Sequence, residues 1–432
     1  MLKYISIPEL NFEASFKKSF NDLKKLSKFD FFMSIFWLIG PFIYLIERSP
    51  ADIWLTFIAF SFLIRCAYKK EWVWLRQTWV KMVLAFWGVC FISSILSVDP
   101  VFAIGNTIAW IRFPLYAAAL QVWIARDRDI RILMLIMILL GMIIMCLILL
   151  AEVILEPKVR LTWPYGDTVP GGYLAKVCLP IFCVLIAIAT NARAVPALIA
   201  SFLGVFTIIV SALTGERTHF LLRACAGILS GLVWKPKFKR ILFVIIIEIL
   251  AVTFIFTLRP DLGSRYTTTF VQQIPIVGTI VTKNKNDNNT YWGAWRGGIQ
   301  QFVETPVFGI GPGVTRTTCK NLEKGEPDWL PGVNYCGNHP HNFYIQLASD
   351  TGLIGLLTGS LMFLSIIILC FRARSSNSIC PMAATAFVIP FGLFFPLQNF
   401  GNFFGQWGNL FLWFALGFAV AQAQNWDQKS KI

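Results

Sequence analysis

The stretch ILMLIMILLGMIIMCLILLAEVIL, residues 132–155, decides the fold of this chain. Only one of its residues, Glu152, is charged. An apolar run of this length can cross the hydrocarbon core of a bilayer as a single α-helix, which needs about 20 residues. The sequence therefore predicts an integral membrane protein.

Similar runs recur along the chain. Hydrophobic residues make up 56% of the 432 residues and charged residues 14%, which leaves too little polar surface for a soluble globule. About twelve runs are each ended by charge, Pro or Gly, and they predict an all-α polytopic membrane protein. They cover 31–47, 51–65, 82–97, 103–125, 132–155, 173–190, 195–213, 218–234, 241–258, 352–371, 380–397 and 407–424. The second run is short, so tilting or re-entry is an alternative to a clean span.

Basic residues in short loops predict the orientation, because such loops resist translocation and stay in the cytoplasm. Every second loop is basic, whereas a loop such as SVDP, residues 97–100, has no Lys or Arg. Both termini are therefore predicted to be cytoplasmic. The net charge of +15 is scattered over many loops, which favours contact with anionic lipids over nucleic acid. The first run begins only at Phe31 and lacks a small-residue cleavage site, so no cleavable signal peptide is expected.

One long polar segment, Arg259 to Pro340, lies between the ninth and tenth runs on the predicted outer side. Loops of this length are usually functional. It divides the chain into five predicted parts. They are a cytoplasmic segment 1–30, a bundle of about nine spans at 31–258, a large periplasmic loop at 259–351, C-terminal spans at 352–424 and a cytoplasmic tail at 425–432.

The long loop contains recognisable local features. Residues 289–306 carry aromatic residues at helical spacing, which predicts an amphipathic helix at the membrane interface. FGIGPG, residues 308–313, predicts a turn; the pattern favours a structural turn over a phosphate cradle, since no Lys-Ser or Lys-Thr follows.

Cys319 and Cys336 lie in this loop, and the other cysteines lie in or beside apolar runs. An oxidising outer face predicts a disulfide between them, with two free thiols as the alternative.

Charged residues within or beside the spans are candidate functional groups, because burying a charge in a membrane is costly. Arg217, in LTGERTHFLL (213–222), lies at the outer end of the seventh run, against the charge bias of the other loops. Contact with an anionic ligand is predicted, because a guanidinium matches phosphate with a two-pronged fork. Pairing with Glu216 is the alternative, although neighbours in sequence point apart on a helix. For Arg112, ligand contact and packing within the bundle are equally favoured.

His339 and His341 lie in CGNHPHNFYIQLASDTGLIGLL (336–357), where a polar segment becomes apolar. One histidine could cap the following helix while the other packs under the loop. A metal site is a second interpretation, but acidic partners are lacking nearby. General-base catalysis is the third, because an imidazole can accept a proton near neutral pH. The residues alone leave the choice between these open.

HPHNFYIQLASDTGLIGLL (339–357) resembles the signature of the O-antigen ligase and O-antigen polymerase superfamily, with a His-Asn pair, an acidic residue, Gly, an apolar pair and Gly. LTGERTHFLL, TPVFGIGPG (305–313) and the number of spans extend the resemblance over most of the chain. The resemblance implies a GT-C-like glycosyltransferase of the bacterial inner membrane. Such an enzyme moves a glycan from undecaprenyl diphosphate to an acceptor hydroxyl, with no nucleotide sugar, metal or other cofactor.

The resemblance also implies residue roles. Arg217 would bind the donor diphosphate, His341 would activate the acceptor hydroxyl, and His339 would orient the acceptor or His341. The family usually has a second Arg in the outer loop, where this sequence has Tyr291. The candidates to replace it are, in order, Arg296, Arg265 and Arg316, with Arg112 as a further candidate for the donor site.

Several functions share these features. A ligase moves the glycan to lipid A-core, a polymerase moves it to another lipid-linked glycan, and a related group glycosylates protein hydroxyls. The likeness of GERTHF and HPHN to the family favours a ligase. A flippase for lipid-linked sugars should show paired half-repeats, and none is evident. A noncatalytic scaffold would have no reason to gather Arg217, His339 and His341 on one face.

Overall fold

The structure, a computed structural model, describes residues 23–191, 194–233, 238–267, 290–315, 339–376, 381–396 and 401–423. Helices and loops account for all of these residues, and none of them forms a strand. The prediction of an all-α membrane protein is confirmed. In chain order the helices are α1 Lys28–Leu38, α2 Gly40–Ile46, α3 Arg48–Lys69, α4 Thr78–Ile95, α5 Pro100–Trp110, α6 Arg112–Ala119, α7 Arg128–Leu155, α8 Leu179–Asn191, α9 Ala194–Leu213, α10 Arg217–Val233, α11 Phe238–Leu258, α12 Pro260–Tyr266, α13 Thr290–Glu304, α14 Phe343–Ser376, α15 Pro381–Ala386, α16 Val388–Leu393 and α17 Gln406–Gln422.

Seven helical segments in the described part of the chain are long and apolar enough to cross a membrane. They are Arg48–Lys69, Thr78–Ile95, Pro100–Ile124, Arg128–Leu155, Val195–Leu213, Phe238–Leu258 and Phe343–Arg372. Two bent pairs raise the number to nine if each is one span: α1 with α2, bent by 48°, and Pro170–Val177 with Leu179–Thr190, bent by 57°. The chain is therefore a multi-pass membrane protein.

The predicted runs correspond to helices but differ in length. The short second run belongs to α3, which has 22 residues because polar residues at both of its ends are also helical. Runs 218–234 and 407–424 correspond to α10 and α17, each of 17 residues. Run 380–397 is broken into α15 and α16, and Pro390 cannot donate the helical hydrogen bond to the preceding turn. Within the described residues these three are shorter than the segments counted as spans, so the larger number of spans stays a prediction.

The centre of the bundle is α17. Every residue from Asn409 to Gln422 is buried, and α17 contacts α3, α6, α8, α14, α15 and α16. In contrast, α11 buries only Ile241 and Val244 among its residues and exposes large apolar side chains over most of its length. A mostly apolar helix with little protein contact is suited to a lipid environment. The bundle therefore has a protein-surrounded axis and a lipid-facing side.

The helix that follows the two histidines is anchored to the bundle by α4. α14 packs along α4, and the hydroxyl of Ser93 in α4 donates a hydrogen bond of 2.9 Å to the carbonyl of Asp350. Ser97, just past the end of α4, donates to the carbonyl of Ile310 at 2.7 Å. α13 packs against α14 on another side. These contacts fix the part of the chain that carries His339 and His341.

Candidate functional site

The first turn of α14 is capped by Asn342. Its side-chain oxygen accepts hydrogen bonds from the backbone amides of Tyr344 (2.9 Å) and Ile345 (3.2 Å). Its side-chain amide donates to the carbonyl of Pro396 at 2.7 Å. An Asn in this position satisfies amides that the helix leaves without partners. The cap is therefore Asn342, and the interpretation in which a histidine caps this helix is wrong.

The rings of the two histidines lie against each other just before this cap, tilted by 54°. His341 has a φ of +56°, a left-handed conformation that is uncommon outside glycine. The ring centroids of His339 and His341 lie 4.1 Å apart. Both side chains are partly buried, and Nε2 of His339 is buried without a hydrogen-bond partner among the described residues. The two rings are therefore in contact, and Nε2 of His339 is shielded from solvent.

Burial makes His339 harder to protonate than a free imidazole. Desolvation, with a smaller contribution from the neighbouring His341, lowers the pKa of His339 to about 3. Its ring is therefore neutral at physiological pH and does not carry the charge that would attract a phosphate.

The pKa of His339 predicts how stability depends on pH. The unfolded chain binds a proton at this position below pH 6.5, whereas the folded chain stays neutral down to about pH 3. Stability contributed by neutral His339 is therefore lost as pH falls from about 6.5 towards 3. Between pH 6.5 and 5 the loss is about 2 kcal/mol. We expect the thermal midpoint in detergent to fall less over this range in His339→Gln than in wild type, and equal slopes would contradict the assignment.

The glycine-rich turn at 308–313 is docked on α14. Gly309, Gly311 and Gly313 all have positive φ, which explains the residue type at each position. The amides of Ile310 and Gly311 donate to backbone carbonyls of α14, at 3.0 and 2.9 Å. These amides are bonded within the protein, which supports the structural interpretation of the turn over a phosphate cradle.

The acidic residue of the signature, Asp350, is the anchor for this turn. Its side chain is fully buried, and its carboxylate accepts hydrogen bonds from the Gly313 amide, the Thr315 hydroxyl and the Gln346 side chain, each at 3.0 Å. A buried carboxylate needs several donors of this kind to offset its desolvation. Gln346 also donates to Asn402 at 2.6 Å, which ties α14 to the segment before α17. Asp350 therefore has a structural role.

Gly352 interrupts the helical backbone of α14, and residues 306 and 307, which precede the turn, bind at this interruption. It has a φ of +66°, and the two amides that follow, of Leu353 and Ile354, donate to the carbonyls of Pro306 (2.8 Å) and Val307 (3.4 Å). A Cβ at position 352 would overlap the Val307 carbonyl. The signature's Asp and Gly thus hold the segment 305–313 against the helix that follows His341.

Two arginines meet at the start of α10. Arg217 is 7% exposed, and its Nη1 donates to the backbone carbonyl of Arg265 at 3.4 Å. Nε of Arg265 donates to the carbonyl of Gly215 at 2.7 Å. The hydroxyl of Tyr266 fastens α12 to the end of α9 through the Ala212 carbonyl, at 3.0 Å. Of the predicted second cations, Arg265 is the one that these hydrogen bonds place directly beside Arg217.

Glu216 has partners other than Arg217. One carboxylate oxygen accepts the Gly171 amide at 2.8 Å, and the other lies 3.8 Å from Nε2 of His219. Burial raises the pKa of Glu216 to about 7, against the opposing effects of the Gly171 amide and of nearby Arg160 and Lys176. These contacts disfavour the interpretation in which Glu216 serves mainly to pair with Arg217.

Arg112 is bound by an acidic residue. Its guanidinium donates two hydrogen bonds to Asp52, at 2.9 and 3.2 Å, and another to the carbonyl of Ala109. Asp52 also accepts from the side chain of Gln406 at 2.5 Å. This network ties α3, α6 and α17 together, which favours the packing interpretation of Arg112 over ligand contact.

Several predicted site residues are not described. The backbone of Arg296 lies in α13, but its side chain, together with Arg316, Cys319 and Cys336, lies outside the described residues. The disulfide and the ligand roles of the two arginines stay predictions. Within the described ranges, His, Cys, Asp and Glu side chains form no cluster of three that could hold a metal ion. Metal independence likewise stays a prediction.

The arginine cluster and the histidine segment are connected through residues 392–396. Leu222, in the second turn of α10 after Arg217, lies 3.1 Å from the position that a Cβ on Gly392 would take. A few residues on, the carbonyl of Phe394 accepts the Tyr344 hydroxyl at 2.7 Å, beside the Asn342 bond already described. The segment therefore contacts the helix of Arg217 on one side and the helix behind His341 on the other.

Residues 201–358 match the model of the protein family described as O-Antigen ligase. The match includes both the arginine turn and the His-Asn segment, and the resemblance inferred from the motifs is confirmed. No curated protein matches the sequence. Residues 201–358 are thus similar to the O-antigen ligase family, whose members are membrane enzymes that transfer glycans. The family points to lipid-linked glycans as substrates.

Proposed function

We propose that this chain, a multi-pass membrane protein with an O-antigen ligase domain, transfers a glycan from undecaprenyl diphosphate to a hydroxyl of lipid A-core. The reaction takes place at the periplasmic face of the bacterial inner membrane, with both termini in the cytoplasm. The main support is the Arg217–Arg265 pair at the start of α10 and His341 just before α14, two helices that both contact residues 392–396 through Leu222 and Tyr344. Both groups lie within the matched domain.

The donor diphosphate binds at the two arginines. Each guanidinium offers a planar fork of donors that matches phosphate oxygens, and both are positioned by backbone carbonyls of the Gly215 turn and of α12. When the bond between the anomeric carbon and the diphosphate breaks, negative charge grows on the diphosphate. Guanidinium groups already in place stabilise that charge. Arg265 is therefore assigned as the second cation, and Arg296 and Arg316, whose side chains lie outside the described residues, stay predicted candidates.

The acceptor hydroxyl is activated by His341. Its oxygen attacks the anomeric carbon while its proton passes to the neutral imidazole, and the undecaprenyl diphosphate leaves with the electron pair of the broken bond. His339, neutral and in contact with the His341 ring, holds that ring in position. The diphosphate is a good leaving group once its charge is balanced, so the proposed reaction uses no acid catalyst and no metal.

Complementation of a strain that lacks its O-antigen ligase tests this function. Wild type should restore long-chain lipopolysaccharide on gels. Arg217→Ala should lower the ratio of capped to bare lipid A-core by about 10- to 100-fold, the loss of a charge-assisted contact. Arg128→Ala, an exposed arginine at the start of α7, is the matched control and should behave as wild type.

The same gels separate the alternatives. Wild-type banding from Arg217→Ala at normal expression contradicts the donor site. Single repeats on the core with loss of long chains alone would identify a polymerase. Normal lipopolysaccharide together with lost protein glycosylation would identify a transferase to protein hydroxyls. Accumulation of lipid-linked glycan on the cytoplasmic side would identify a flippase.

A further inference from the structure

A third arginine lies beside the Arg217–Arg265 pair, on the loop 156–169 that follows α7. Lys158 and Arg160 both lie on this loop, on the predicted outer side, where the other short loops carry few basic residues. Lys158 is paired with Glu156 at 2.8 Å. Arg160 is exposed and makes no ion pair with any residue that the structure describes. It was not among the predicted site residues, although its place on an outer loop was a signal available in the sequence.

The loop is held firmly at Arg160. Glu152, fully buried at the end of α7, accepts hydrogen bonds from the Thr162 amide and hydroxyl and from the Trp163 amide, at 2.8 to 2.9 Å. The Leu161 amide donates to the Thr214 carbonyl at 3.3 Å. A loop with this many bonds on a buried acid has little freedom to move. Arg160 therefore leaves the backbone at a fixed place beside the turn that precedes Arg217.

Glycine at position 215 allows this close approach. It has a φ of +70°, and a Cβ there would overlap the Val159 carbonyl and lie 3.3 Å from Cγ of Arg160. The stem of Arg160 therefore lies against the same turn whose carbonyl binds Arg265. A hydrogen bond of 3.4 Å from Arg259 to the Lys158 carbonyl joins the loop to α12 as well.

Three separate segments thus bring one arginine each to the Gly215 turn: Arg160, Arg217 and Arg265. Among the described acidic residues near this turn, Glu156 pairs with Lys158 and Asp261 pairs with Arg259 at 2.7 Å. Glu216 accepts the Gly171 amide and is attracted by Arg160. Three guanidinium groups at one turn offer more hydrogen-bond donors than a single phosphate needs.

We propose that Arg160 binds the second phosphate of the lipid-linked donor, the one that Arg217 does not hold, and so selects diphosphate over monophosphate lipids. This inference rests on the proposed function, because it places the donor at Arg217. A diphosphate presents two groups, each of which can take a two-pronged guanidinium contact. The buried Arg217, together with Arg265, binds one phosphate, and Arg160, exposed at the edge of the site, binds the other.

Binding of undecaprenyl diphosphate and undecaprenyl monophosphate to the full-length protein in nanodiscs tests the inference. Arg160→Ala should weaken diphosphate binding by about tenfold and monophosphate binding by less than about twofold. Lys158→Ala removes an equally exposed cation two residues away and should change neither. Arg160→Lys should give an intermediate loss, because an ammonium keeps the charge but loses the fork. Equal thermal midpoints of the variants would exclude a folding defect.

Each other outcome has a distinct meaning. If wild type binds diphosphate more tightly than monophosphate and Arg160→Ala does the same, the role of Arg160 is contradicted while the proposed function stands. Equal losses for both lipids would show general electrostatic attraction and overturn the selectivity. If wild type binds neither lipid, the donor site itself, and with it the proposed function, fails.

Discussion

Replacing His341 by Asn is expected to lower the rate of glycan transfer by about 10²- to 10⁴-fold, the usual contribution of a general base. Asn tolerates the left-handed backbone found at this position, so the substitution tests the imidazole and not the turn. Donor binding should change little, because the diphosphate lies at the arginines. The measurement is the initial rate with purified protein, lipid-linked glycan and lipid A-core.

His339→Gln is the matched control for this experiment. The His339 ring is neutral and its Nε2 is buried, so it cannot exchange a proton with the acceptor as His341 can. We expect a loss of transfer well below that of His341→Asn. A wild-type rate from His341→Asn, or an equal loss from both variants, would contradict the assignment of the base.

Gly352→Ala is expected to lower the free energy of unfolding by about 2–4 kcal/mol and to abolish most transfer. Its positive φ disfavours any side chain, and a Cβ would overlap the Val307 carbonyl. The segment 305–313 would then detach from α14, and the support behind His341 would be lost. Thermal unfolding in detergent and the transfer rate measure the two effects.

Gly88→Ala provides the control for this substitution. Gly88 is an exposed residue within α4, and a Cβ there would meet no atom within 4 Å. Because alanine favours a helix more than glycine does, the variant should be unchanged or more stable by about 0.5–1 kcal/mol. Similar stability of the Gly352→Ala and Gly88→Ala variants would show that the turn does not need glycine at 352.

The sequence predicts the helices better than their lengths. Hydropathy locates α3 but misses its polar ends, because Arg48 and Lys69 are helical without being apolar. It also reads 380–397 as one run, whereas the structure breaks it near Pro390. A hydropathy average responds to composition, and the break depends on one missing amide donor.

The candidate site is predicted in part. Arg217 stands out because it opposes the charge bias, and His341 stands out through the family signature. A hydrogen bond between residues 48 positions apart in the sequence shows that Arg265 lies beside Arg217, and no local sequence pattern predicts this contact. Asp350 is a conspicuous acid in the sequence, but only the structure shows that its carboxylate is buried and bound to the Gly313 amide of the turn. Long-range contacts of this kind are set by tertiary packing.

The central claim is that Arg217 and His341 serve one reaction, and a cryo-EM structure of the full-length protein with a bound lipid-linked glycan tests it most directly. The account predicts phosphate oxygens within hydrogen-bond distance of the Arg217 and Arg265 guanidinium groups, with the anomeric carbon facing the His341 ring across an acceptor-sized gap. A diphosphate bound elsewhere, or a His341 ring separated from the sugar by protein or lipid, would contradict it.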